Sequence, residues 1–150
     1  MPRASIIIRA ADTADLPHLL ALYRELNSDD DLPQTNSIGA TYDTILAHPG
    51  LTIFVALDSE TPVATASLVV IPNLTRGGRP YALVENVVSA RSHRGEGYGR
   101  AVVCHAIEAA WTAGCYKAML LTGRTDPAVH KFYEGCGFVQ NKTGFQVRRN

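Results

Sequence analysis

Cysteine is scarce in this chain. Among 150 residues there are three, Cys104, Cys115 and Cys136, and no two stand in a CxxC spacing. That removes the usual zinc and dithiol motifs, and a few reduced thiols suit a cytoplasmic protein, the expected location. A charge excess is also missing, because 14 basic residues balance 14 acidic ones. Without a basic surplus nothing draws the chain onto nucleic acid or an anionic membrane, so neither is an expected partner. No apolar run nears the ~20 residues that span a bilayer, and the N-terminus lacks the apolar core of a signal peptide. His105 and His130 have no partners at metal-ligand spacing, and no metal is expected. Two nucleotide signatures are absent as well. Neither GxGxxG nor a P-loop ending in Lys and Ser or Thr occurs.

What is present is a globular composition, 46% hydrophobic and 19% charged, with no internal repeat. Residues 1–150 suffice for one domain with its own core. The β-branched run from Ser5 to Ala11 predicts a strand. Leu16, Leu19, Leu20, Tyr23 and Leu26 then recur at helical spacing behind a possible cap at Asp12 or Asp15. A polar loop from Ser28 to Ser37 leads to a second helix over Ile38 to Ala47. Strands follow at Leu51–Leu57, Pro62–Pro72 and Tyr81–Ala90. A third helix carries Val102, Val103, Ala106, Ile107, Ala110 and Trp111, with Trp111 expected in the core, and Gly114 stops it. A strand at "YKAMLLTG" precedes a helix that Asp126 caps and Pro127 begins. "FVQN" and "GFQVRR" close the chain as an expected hairpin. The order β-α-α-β-β-β-α-β-α-β-β predicts an α/β (α+β) domain, a mixed central sheet with helices on both faces.

The most informative stretch is "HRGEGYGR", His93 to Arg100. It joins a strong strand to an amphipathic helix. The first N–H groups of a helix are unpaired and lie at the positive end of its dipole, so a helix start is a ready anion site. Gly95, Gly97 and Gly99 let an anion approach the backbone. Arg94 and Arg100 can add charge-assisted hydrogen bonds. The residues alone leave a plain glycine turn with surface arginines as the alternative.

The spacing of Arg94, Gly97 and Gly99 resembles the (Q/R)xxGx(G/A) acyl-CoA signature of the GNAT superfamily of N-acetyltransferases. "DPAVHKFYEGCGF" resembles the superfamily's C-terminal helix and its FYxxxGF ending. "VENVVSARSHRGEGYG" and "GCYKAMLLTGRTDPAVHKFYEGCGF" are further similar to glucosamine-6-phosphate N-acetyltransferases. Glu85 falls on that group's glutamate, whereas Asn86 stands in place of the aspartate beside it, and Val129 in place of an asparagine on the CoA side. The resemblance implies the GNAT fold and acetyl-CoA as co-substrate. Its pyrophosphate would be held by Arg94, Gly95, Glu96, Gly97, Tyr98, Gly99 and Arg100, with Tyr98 packed under the loop, and Asp126 and His130 would also lie on the cofactor side. A β-bulge in the fourth strand would offer the N–H groups of Val87 and Val88 to the thioester carbonyl.

Direct acetyl transfer leaves three tasks. An alkyl ammonium of pKa ~10.4 must lose a proton before attack. Glu85 is the candidate base, with an ion-paired or solvent-facing glutamate as its alternative; its apolar strand neighbours suggest shelter from water. Backbone donors fixed beforehand stabilise the developing oxyanion. Tyr133 matches the residue that protonates the leaving thiolate. Cys136, close to it on the same helix, is expected to be a small packed residue and no nucleophile. The acceptor is expected to be a small primary amine, with weaker expectations that Asn86, Asp30 and Asp31 meet it. A homodimer paired through the last strands is expected too. A non-catalytic CoA-binding module and a protein N-terminus or lysine acetyltransferase remain the alternatives.

Overall fold

A computed structural model of the chain describes residues 5–29, 32 and 35–149. Asp30 and Asp31, two of the residues expected at the acceptor, lie outside the described residues.

Five strands form one sheet in the order β1 (Ile7–Ala10), β2 (Leu51–Asp58), β3 (Thr61–Ile71), β4 (Tyr81–Ser89) and β5 (Ala118–Met119). The first four run antiparallel to their neighbours and β5 runs parallel to β4. The helices are α1 (Leu16–Leu26), α2 (Thr35–Ala47), a single turn α3 (Thr75–Gly78), α4 (Tyr98–Thr112) and α5 (Pro127–Gly135). This is the expected α/β architecture, with α2 starting three residues earlier than its apolar periodicity indicates.

The sheet separates two cores. On one face Phe54, Ala56, Ala64, Ala66, Leu68, Ala82 and Val84 pack under Val102, Val103, Ala106 and Ala110 of α4. On the other, Ile53 and Val55 pack with Leu19 of α1 and Tyr42 of α2. Alternation along each strand produces this division. In β3, residues 62–68 are all buried because both faces are covered.

The first helix is anchored by charge. The Asp12 side chain accepts from the Ala14 N–H at 3.0 Å, and Asp15 accepts from the Asp12 N–H at 2.8 Å, a reciprocal cap in which both expected aspartates take part. Asp15, only 3% exposed, is gripped by the Arg9 guanidinium at 2.6 and 3.0 Å. These bonds hold its carboxyl below the usual carboxylate range.

Three expectations fail locally. The strand at "YKAMLLTG" shrinks to Ala118–Met119, because β4 diverges just beyond their partners Ala82 and Leu83. "FVQN" and "GFQVRR" form no strands among the described residues: Phe138 packs on the α4 core and Gly144 lies against Leu121, but no ladder forms, and Phe145 and Val147 are 91% and 97% exposed. Trp111 is 43% exposed, on the outer side of α4 rather than in the core. Its neighbour Ala110 takes the inward position instead.

Candidate active site

The site begins with a break in the ladder between β3 and β4. Thr65 stands opposite Val88 and Ser67 opposite Glu85, so Ala66 alone spans Asn86 and Val87. This is a β-bulge. Asn86 sits at φ 50°, in the left-handed region that Asn tolerates better than most side chains. The extra residue takes backbone N–H groups out of regular pairing and turns β4 away from β5. The bulge expected at Asn86–Ser89 is therefore present. Val88 is buried and Val87 half-buried against the α4 core.

Beyond β4 the chain makes a 3-10 turn at Arg91–His93 and enters α4 through the glycine loop. Gly95 and Gly97 have φ of 78° and 94°, where a side chain would be strained. A Cβ at Gly95 would meet nothing within 4 Å, so this stretch of backbone is open to a visitor. Gly97 caps α4 without a side-chain hydrogen bond. Arg94, Glu96 and Arg100 are exposed around it. Glycine backbone at positive φ and two exposed guanidinium groups fit a pyrophosphate.

Gly99 has a different task. A Cβ there would stand 2.5 Å from the Ser89 Oγ and 3.6 Å from the Phe132 ring. Glycine lets the first turn of α4 lie against β4 without displacing the Ser89 hydroxyl, while the approach to Phe132 is ordinary van der Waals contact. Tyr98 is half-buried and meets the His93 ring edge-on at 5.7 Å.

His93 braces the loop, a part that sequence reasoning missed. Its Nε2 lies 2.9 Å from the Asp58 Oδ2, and its Nδ1 lies 2.7 Å from the Ser92 Oγ. The preceding Arg91 N–H donates to the Glu25 carboxylate at 3.1 Å. The loop is thereby tied to the end of β2 and to α1. A short polar run before a glycine loop was the only signal.

Tyr133 projects from α5, half-buried against Phe132 and Phe138. Burial, with a contribution from Cys136, pushes its phenol pKa up, so it keeps its proton at neutral pH. Burial and the neighbouring Cys104 push the Cys136 thiol up to about 11. A thiol so held is neutral, hence a poor nucleophile. Asp126 is engaged as the cap of α5, accepting from the Ala128 N–H at 2.9 Å. His130 turns its Nε2 to the Arg124 carbonyl at 3.0 Å. Both hold the start of α5 on the loop after β5.

Glu85 and Asn86 are exposed. Glu85 therefore stands in solvent between the buried Val84 and Val88, not in the apolar shelter its sequence neighbours suggest. Strand alternation, carried up to the bulge, puts it on the α1 side of the sheet. No helix among the described residues is long and apolar enough to cross a membrane.

Three comparisons bear on this geometry. Residues 16–138 match the acetyltransferase (GNAT) family. A probable glucosamine 6-phosphate N-acetyltransferase of Oryza sativa subsp. japonica is 33% identical over 141 residues, covering 91% of this chain and 83% of its own length. A putative acetyltransferase from Agrobacterium tumefaciens has a solved structure that superposes with a TM-score of 0.93 at 62% identity, covering 96% of this chain and 100% of that one. An aminoglycoside N-acetyltransferase solved in complex with CoA has a TM-score of 0.76 at 18% identity, covering 96% and 99%, a likeness of fold.

Proposed function

This chain belongs to the acetyltransferase (GNAT) family and is an N-acetyltransferase of it, and on that premise we propose that it moves an acetyl group from acetyl-CoA to the primary amine of a small molecule by direct attack. The observation that carries this reading is the bulge at Asn86–Val87, placed next to the glycine-lined helix start that Gly99 packs against Ser89. One element frees backbone donors for a carbonyl, and the other frees donors for a pyrophosphate.

Acetyl-CoA supplies the activated acyl group. The protein supplies position and charge. Arg94, Gly95, Glu96, Gly97, Tyr98, Gly99 and Arg100 hold the pyrophosphate at the α4 start, where the helix dipole favours it. The N–H groups of Val87 and Val88 face the thioester carbonyl and stabilise charge as it grows on oxygen. Glu85, open to the α1 side, takes the proton of the incoming ammonium through water. Tyr133, with its proton retained, donates it to the departing thiolate. Asp126 and His130 act on the cofactor side by fixing the start of α5.

Asn86 borders the acceptor. Glucosamine 6-phosphate, the amine in the names of the curated relatives, is the first acceptor to test, although Asn86 replaces the aspartate of that group. The exposed segment from Val139 to Val147 lacks a strand partner among the described residues, which supports pairing with a second copy of the chain as a homodimer.

The test is thiol release from acetyl-CoA across amino sugars, polyamines and amino-acid derivatives. Turnover on an amine with release of CoA supports the reading. CoA binding without turnover on any amine would favour a non-catalytic module.

A further inference from the structure

At the end of β4 remote from the Arg94–Arg100 loop, three cations surround one aromatic ring. The Arg76 and Arg79 guanidinium carbons each lie 5.7 Å from the centre of the Tyr116 ring, and the Lys117 Nζ lies 5.4 Å from it. Lys117 is also 5.7 Å from the centre of the Tyr81 ring. Attraction to a ring offsets only part of the repulsion among like charges gathered this closely. None of the three has an ion-pair partner among the described residues. The C-terminal end of α4 carries roughly half an elementary negative charge, so a positive excess remains.

The backbone holds this cluster in place. The Asn73 Nδ2 donates to the Thr75 and Arg79 carbonyls at 3.1 Å each, which closes the loop between β3 and β4. The Arg79 Nε donates to the Arg76 carbonyl at 3.2 Å. The Tyr116 N–H donates to the Pro80 carbonyl at 3.0 Å, and the Ala82 N–H donates to the Lys117 carbonyl at 2.9 Å, so the ring is fixed against the loop. Arg76 itself sits at φ 55°, ahead of Gly77 and Gly78 at 72° and 77°. That left-handed conformation is unfavourable for a long side chain and easy for glycine. An arginine kept there is strained for a reason other than folding.

The same loop borders a groove of about 690 Å³, a size suited to a small ligand. The walls are mostly apolar and include Pro49, Val70, Pro72, Leu74, Pro80 and Ala113. Leu74 is 97% exposed. An apolar groove with cations beside it suits an apolar body that ends in an anion. A phosphate monoester offers three free oxygens and a charge of about −1.5 to −2 at pH 7, which matches three cations better than a carboxylate does.

We propose that the groove and the cluster of Arg76, Arg79 and Lys117 form a binding site for a small organic phosphate monoester with an apolar body. The site is separate from the one assigned to acetyl-CoA. Strand β4 runs nine residues, from Tyr81 beside the cluster to Ser89 beside Gly99, a span of roughly 26 Å at the usual rise per residue.

Calorimetric titration of the full chain with hexyl phosphate, inorganic phosphate and hexanol tests this. Hexyl phosphate is expected to bind at one site. The other two bind at least about tenfold more weakly, since each lacks one half of the match. Arg94→Glu, which reverses a charge in the distant loop, leaves the binding unchanged. Arg76→Gly and Lys117→Gln each weaken it about tenfold. Leu74→Asp, which sets a carboxylate at the groove, weakens it as well. Arg76→Gly gives a second readout. Glycine suits φ 55°, so thermal stability without ligand stays at or above wild type while affinity falls. No binding of hexyl phosphate, equal affinity for inorganic phosphate, unchanged affinity in both Arg76→Gly and Lys117→Gln, or loss of binding in Arg94→Glu overturns the assignment. Binding to vesicles that contain phosphatidic acid, without binding of soluble hexyl phosphate, also overturns it and makes the patch a membrane contact.

Discussion

Gly99 and Ser89 approach so closely that a Cβ on the glycine would stand 2.5 Å from the serine Oγ. That contact fixes where α4 begins relative to β4, and hence where the loop amides lie relative to the bulge. It gives the last position of the loop motif a packing reason, distinct from the positive φ of Gly95 and Gly97. Gly99→Val should cost about 1–3 kcal/mol as an overpacked site and weaken CoA binding with it. Gly99→Ala should be milder and should recover in a Ser89→Ala background, where the obstructing oxygen is gone. Urea denaturation of the single and double variants checks this. Equal loss in Gly99→Ala with and without Ser89→Ala would show that the contact does not decide the position.

Tyr133→Phe should lower kcat by about a hundredfold or more, the range of a positioned general acid, and leave acetyl-CoA binding intact. The direction of its pKa adds a second test. A phenol held above its ordinary value of about 10 stays protonated through neutral pH, so any alkaline limb it imposes on kcat falls above that value. A limb below pH 9 that vanishes in Tyr133→Phe would contradict the assignment.

Cys136 sits beside Tyr133 and serves as its control. With its thiol pushed up to about 11, Cys136→Ser should keep kcat within about threefold, since only a thiolate is a competent nucleophile. Loss of activity as large as that of Tyr133→Phe, with folding preserved, would argue for a covalent acyl-cysteine route.

The Arg9–Asp15 pair predicts a pH dependence of stability. Asp15 is held below its ordinary pKa, so the pair contributes fully above the unfolded value near ~3.9 and loses that contribution as pH falls through the folded value. Asp15→Asn should cost about 1.5–3 kcal/mol at pH 7, as for hydrogen bonds to a charged group. The difference from wild type should shrink as pH drops below 4. A difference that stays constant down to pH 3 would mean that Asp15 acts by shape alone.

Much of this was legible because it is written locally. The strand, glycine loop and helix around His93 to Arg100 carry their own periodicity and turn chemistry, and the Asp12, Asp15 and Asp126 caps announce themselves by position. What was hidden depends on neighbours distant in sequence. Whether Glu85 is sheltered or open is set by α1 and by the bulge, and the exposed result runs against its apolar flanks. "FVQN" and "GFQVRR" have strand composition, but a strand needs a partner and the chain offers none among the described residues. Trp111 lies one position off the inward face of α4, where its size biased the expectation. Thr65 and Ser67 did leave a trace, two hydroxyls at alternate positions of an apolar strand. Only the register, which sets Ser67 opposite the exposed Glu85, shows what that hydroxyl stands beside.

The central claim is that the loop from Arg94 to Arg100 holds the pyrophosphate of acetyl-CoA. The most direct test is thermal stability of the wild type and of Arg94→Glu with acetyl-CoA, CoA, NAD and ATP. Binding at one site at about 100 times Kd adds about 2.7 kcal/mol. Stabilisation by acetyl-CoA and CoA but not by NAD or ATP, reduced in Arg94→Glu, is the predicted result. Stabilisation by none of the four, or by CoA equally in both proteins, would contradict it.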